Sequence, residues 1–170
     1  MTATVADSMV ETERIADELD RMVQGGAWHG PAIQEALAGV SAEQAAARPI
    51  RAAHTIWEIV LHMTAWANEV ASRLSNGVHQ LRGEDDWPLM PGAEGSSWEW
   101  AKEGLAAAHR RLRQAVREFP PVRVYDRVGP GDGLVRGESF YVMLHGLAQH
   151  DAYHTGQISL LKRAMAGERR

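Results

Sequence analysis

The chain has 170 residues, 45% of them hydrophobic and 24% charged, with a formal net charge of −4. That size suits one domain with a single core, expected to span residues 1–170, and the acidic balance argues against a nucleic-acid partner. The sequence holds no cysteine, which excludes disulfides, thiolate metal ligands and a cysteine nucleophile; a metal must be held by His, Asp or Glu, and a reacting thiol must come from outside.

The N-terminal stretch MTATVADSMVETERIADEL is acidic and lacks an apolar h-region, so it does not read as a signal peptide. No apolar run approaches the length of a membrane span, and a cytoplasmic protein with no membrane partner is the expectation. A first helix is predicted from about Asp7 to Gln24, with Met9, Ile15, Leu19, Met22 and Val23 at helical spacing. The segment GGAWHGP at 25–31 should kink or break it, with Pro31 in the first turn of a continuation that stops near Gly39.

The second helix has a clear start. In TIWE, Thr55 caps the helix and Glu58 reaches back three residues later, the capping-box pattern. The helix runs to the stop signal Asn76-Gly77. Residues 78–95, rich in Pro, Gly and acids, read as a long loop. A third helix follows from Ser96 or Ser97 to just before Pro120-Pro121, carrying a basic stripe, HRRLRQAVR, that reads as a solvated face. Residues 120–137 form a second long loop, in which VRVYDRV is too isolated to make a sheet. The fourth helix spans about Ser139 to Ala166. Four long amphipathic segments with little strand signal imply an all-α four-helix bundle whose long loops cross over an end.

The fourth helix carries three histidines in LHGLAQHDAYHTGQISLL. His150 and His154 are four residues apart, about 40° from each other on one face, which lets two imidazoles meet one ion. Met143, Leu147 and Leu161 share that face, so the pair points into the core, where each ring nitrogen needs a partner. They are either a metal pair or hydrogen-bonded packing residues. Gly146, one turn earlier, leaves open space beside His150. Gln157 either supports a ring nitrogen of His154 or is satisfied elsewhere in the bundle. In the second helix His62 shares a face with Ile59, Trp66 and Val70, as a third ligand or a lone core histidine. Glu58 is placed to orient His62 unless the cap uses it fully. Trp66, one turn beyond His62, is the candidate pocket wall; most of the six tryptophans read as core. Trp28 and His29 at the kink are weaker pocket candidates. His145 points about 140° away from His150. His54 precedes the cap, His79 lies in a loop and His109 reads as solvated.

The combination of TIWEIVLHMTAW in the second helix with LHGLAQHDAYHTGQISLLKRA in the fourth resembles the DinB-like superfamily of bacterial proteins. That family includes bacillithiol S-transferases and is related to mycothiol-dependent maleylpyruvate isomerases. The resemblance covers nearly the whole chain, most specifically QHDAYHTGQ. It implies a four-helix bundle of down-up-up-down connectivity, with metal ligands at His62, His150 and His154, and AWHGP as a departure in the first helix. Family members are often dimers, so a homodimer is an expectation. Three imidazoles suit zinc, nickel, cobalt, iron or copper better than magnesium or calcium, with zinc and nickel foremost. Three protein ligands leave a position open, as in catalytic sites. The expected function is therefore a metal-dependent transferase joining a low-molecular-weight thiol to a small-molecule electrophile in a stress response. The alternatives are a hydrolase using a metal-bound water and a non-catalytic metal- or ligand-binding stress protein.

Overall fold

The computed structural model describes residues 5–75, 81–90, 95–129 and 138–167, with side chains from residue 11 onward. Among these residues it contains six α-helices and no strand: α1 (Val5–Gln24), α2 (Ile33–Leu37), α3 (Ala42–Ala46), α4 (Ile56–Ser75), α5 (Gly95–Glu118) and α6 (Phe140–Gly167). A 3-10 turn at Pro121–Arg123 follows α5. VRVYDRV forms that turn and a single bridge between Arg127 and Ser139 instead of a strand. No helix is long and apolar enough to cross a membrane among the described residues.

Helix α1 ends where its sequence turns to glycine. Gly26 has φ +78° and Gly25 φ +142°, conformations that residues with a Cβ rarely adopt. The continuation divides into two short helices. Sequence reading anticipated α2 and missed α3, although Ser41 accepts from the Gln44 backbone N–H and the Gln44 side chain accepts from the Ser41 N–H, a second capping box. The box at the start of α4 forms as its sequence predicts: Glu58 N–H donates to Thr55 Oγ1 at 3.1 Å, and Thr55 N–H donates to Glu58 Oε2 at 2.8 Å.

The four long helices form a ring in which α5 packs on α1 and α4, and α6 packs on α4 and α1. Two core clusters fix their directions. One joins Ile15 and Leu19 of α1, Val70 and Leu74 of α4, Leu112 and Val116 of α5, and Met143 and Leu147 of α6. The other joins Met22 and Val23, Ile56 and Trp57, Trp98 and Leu105, and Ile158 and Leu161. The first end therefore holds the early part of α1 and α6 and the late part of α4 and α5. Helices α4 and α5 run parallel to one another and antiparallel to α1 and α6, a down-up-up-down bundle.

This topology corrects one expectation about the loops. Only the connection from α4 to α5 must run back along the bundle, because those two helices start at the same end. A 20-residue α4 is about 30 Å long, which explains the length of that connection. The described residues that follow α5 lie at one end, where Val124 and Val128 are buried in the first cluster. At the other end, Trp57 and Trp98 meet at 5.2 Å between ring centroids, and Trp98 Nε1 donates to the Val40 carbonyl at 2.8 Å. That bond ties the starts of α4 and α5 to the joint between α2 and α3.

Candidate metal centre

The down-up-up-down arrangement sets α4 and α6 side by side and antiparallel, so that His62 faces the pair His150 and His154. The Nε2 atoms of His62 and His150 are 3.0 Å apart, and those of His154 and His150 are 3.1 Å apart. One nitrogen from each of the three rings lies within 4.8 Å of the others. His62 and His154 are each only 5% exposed, while the side chain of His150 is 26% exposed, so the cluster opens to solvent on the His150 side.

The far sides of two rings fix their tautomers. His62 Nδ1 donates to the backbone carbonyl of Asp86 at 2.7 Å, and His154 Nδ1 donates to Gln157 Oε1 at 2.7 Å. Carbonyl and amide oxygens only accept, so in the neutral rings the protons sit on Nδ1 and leave both Nε2 lone pairs facing inward. Burial lowers the pKa of His62, and the neighbouring His150 adds to it, while the Asp86 carbonyl opposes both. Burial likewise pushes His154 down to about 4, with His150 contributing and Gln157 opposing. The two inward lone pairs of His62 and His154 can each accept, from a proton on His150 Nε2 or from a cation that all three rings share. Metal–nitrogen bonds of about 2.0–2.1 Å at ordinary coordination angles give nitrogen separations of about 2.9–3.4 Å, and the observed 3.0 and 3.1 Å fall inside that range. The donor set fits a divalent transition metal ion.

The described part of the α4–α5 connection supplies residues that sequence reading missed. Besides its carbonyl, Asp86 places Oδ1 3.2 Å from His62 Nδ1, and the same oxygen accepts from Trp66 Nε1 at 2.8 Å. Trp87 stacks on His62 at 3.9 Å and on His54 at 3.6 Å, between the two imidazoles. Trp66 stands beside the cluster, 5.9 Å from His150 and 6.4 Å from His62 between ring centroids. Tyr153 packs against His154 and accepts from Gln157 Nε2 at 3.0 Å.

Other sequence-level candidates lie elsewhere. Glu58 does not orient His62: its carboxylate is used by the Thr55 cap, by Arg48 at 2.7 Å and by His54 at 3.3 Å. Trp28 is fully exposed and, with His29, lines a separate groove of about 380 Å³ between α1 and α6 that includes none of the three clustered histidines. His29 Nε2 meets the Met22 sulfur there. Gly146 has open space where a Cβ would stand. His145 turns to α1, between Glu18 at 2.7 Å and Glu11 at 3.5 Å. His79 lies outside the described residues. His109 is not solvated but fully buried, facing Asp151. Of the tryptophans, Trp57 and Trp98 are core, Trp66 and Trp87 half-buried, and Trp28 and Trp100 exposed.

Three clustered imidazoles from facing helices of an all-α bundle form a donor group that could hold a metal ion, as helical bundles can in their cores. The family model of the DinB superfamily matches residues 27–158, well over half of the chain, and the protein belongs to that superfamily. At a stringent threshold no curated protein and no solved structure matches it. Membership fits metal binding, in keeping with the histidine cluster.

Proposed function

We propose that His62, His150 and His154 hold a divalent transition metal ion, zinc or nickel foremost, and that the protein is a metal-dependent transferase. In this reading a low-molecular-weight thiol is joined to a small electrophile. The observation that carries the metal assignment is the approach of His150 Nε2 to Nε2 of His62 at 3.0 Å and of His154 at 3.1 Å, with Nδ1 of His62 and His154 each donating to an oxygen. When bound, such an ion acts as a Lewis acid that lowers the pKa of a coordinated thiol or water.

Two features favour a thiol over water. The chain has no cysteine, so sulfur chemistry requires an external thiol, and a three-histidine set leaves room for one. Among the described residues no carboxylate oxygen joins the histidine group, and the nearby Asp86 is engaged with Trp66 and His62. A hydrolase would want a free base there to take the proton from water; a thiol ionises far more readily than water and would release its proton to solvent on the open His150 side. The exposed edge of His150 gives the entry side, and the half-buried Trp66 ring offers an apolar wall for the electrophile.

The test is turnover of metal-loaded protein on a panel of electrophiles, with and without bacillithiol, mycothiol or a simpler thiol. Product formed only with thiol supports the transferase. Product formed with water alone establishes the hydrolase instead. No turnover across the panel, with metal demonstrably bound, leaves a binding protein.

A further inference from the structure

Of the seven buried side-chain nitrogens and oxygens without a hydrogen-bond partner among the described residues, five belong to three residues: both ring nitrogens of His109, Nδ1 of His150 and both oxygens of Asp151. They form one continuous row. Asp151 Oδ1 lies 3.5 Å from His150 Nδ1, and Asp151 Oδ2 lies 3.6 Å from His109 Nε2. Asp151 and His109 are both 0% exposed. His109 comes from α5 and Asp151 from α6, so the row reaches across the bundle between helices that are not neighbours in the ring.

A carboxylate wholly removed from water destabilises a fold unless charge or hydrogen bonds compensate it. An aliphatic residue at position 151 would fill the core without that cost. The distances to both histidines exceed a good hydrogen bond, so in the metal-free protein the compensation is incomplete. A cation on Nε2 of His150 changes this, because it polarises the Nδ1–H that faces Asp151 and makes it a stronger donor.

We propose that Asp151 is the positioning residue for His150 in the metal centre, and that His109 holds Asp151 in place from α5. The inference rests on the metal reading above. It completes a pattern: the Asp86 carbonyl holds the far nitrogen of His62, Gln157 that of His154, and Asp151 that of His150. It also makes α5, which contributes no ligand, part of the site. The metal and the buried carboxylate then stabilise each other, so removing the charge has opposite consequences with and without the ion.

The test uses cobalt(II) as probe, titrated against a competing chelator into the wild-type protein, Asp151→Asn and His109→Gln, with melting curves of each metal-free protein. Asp151→Asn keeps the size of the side chain and removes its charge. Its cobalt affinity is expected to fall about ten- to a hundredfold, the usual effect of losing an outer partner of a ligand. The visible cobalt bands should shift, while the metal-free variant melts at or above the metal-free wild type. His109→Gln should weaken cobalt binding in the same direction by a smaller factor. If metal-free Asp151→Asn melts lower than wild type or fails to fold, the carboxylate is a structural element and the proposal is overturned. Unchanged cobalt affinity and bands in Asp151→Asn overturn it as well, and unchanged affinity in His109→Gln removes His109 as the anchor. Failure of the wild-type protein to bind cobalt contradicts the metal reading itself, an outcome distinct from wild-type binding that the variants match.

Discussion

His62, His150 and His154 differ from His145 in what surrounds them, and that difference sets the expected behaviour of single substitutions. Replacing any one of the first three by alanine removes a nitrogen from the cluster. Each change should lower metal affinity by more than the ~10–100-fold that loss of an outer partner costs, measured as metal retained after dialysis against a chelator. His145→Ala should retain wild-type metal, since that ring is held by Glu11 and Glu18 of α1. The pH dependence of the metal-free protein follows from the same burial. An unfolded histidine titrates near ~6.5, whereas His154 in the fold is pushed down to about 4 and His62 is lowered as well. Between those values the unfolded chain binds protons that the folded chain refuses. The stability from these groups is complete above about pH 6.5 and is lost progressively as pH falls toward 4. Urea unfolding of the metal-free protein across that window should show the slope, and His154→Leu should flatten it; equal slopes in the two proteins would contradict the assignment. The three-histidine cluster was legible in the sequence because spacing of four and a shared apolar face are helical arithmetic. His109 was legible too, but misread: Arg110 and Arg111 beside it suggested solvent, whereas it shares a buried face with Leu105, Leu112 and Val116. Asp86 left no such trace, since its closest bond to His62 is made by a backbone carbonyl that every residue possesses.

At the scale of elements, local sequence signals set where helices start, and packing sets what lies between them. Thr55→Ala removes the cap acceptor of the Glu58 N–H at the start of α4. It should cost about 1 kcal/mol, seen as a lower urea midpoint with an unchanged slope. Because α4 carries His62 less than two turns after that cap, the variant should also bind metal somewhat less tightly, while the exchange of an exposed residue such as Asn68 should do neither. The break after α1 was readable from its glycines. The short α3 was not anticipated, although its Ser41–Gln44 box repeats the device of α4, because a five-residue helix gives too little apolar periodicity to register. The connection between α4 and α5 read only as a polar loop. Its contribution of Asp86 and Trp87 to the histidine cluster depends on α4 and α5 being parallel, a tertiary fact that sends this segment back past His62.

For the whole molecule, the packing of the bundle brings three imidazoles together in its interior. Four helices with two aliphatic clusters enclose a row of inward imidazoles, and a cation that binds only the folded state should stabilise that state by mass action. At a hundredfold excess of free metal over its dissociation constant the gain is about 2.7 kcal/mol. For a chain of this size that is a rise of about 5–10 °C in melting temperature, to be read by calorimetry before and after chelation. A melting curve indifferent to verified metal removal would mean that the aliphatic clusters alone hold the bundle and the site is a passenger. The central claim is tested most directly by a crystal structure of the metal-loaded protein with anomalous scattering measured at the absorption edge of the bound ion. The predicted result is one ion about 2.0–2.2 Å from the Nε2 atoms of His62, His150 and His154, with its open side toward the exposed edge of His150. An ion bound elsewhere, or His150 Nε2 still 3.0–3.1 Å from Nε2 of His62 and His154 with no anomalous peak among the three rings in metal-saturated crystals, would contradict it.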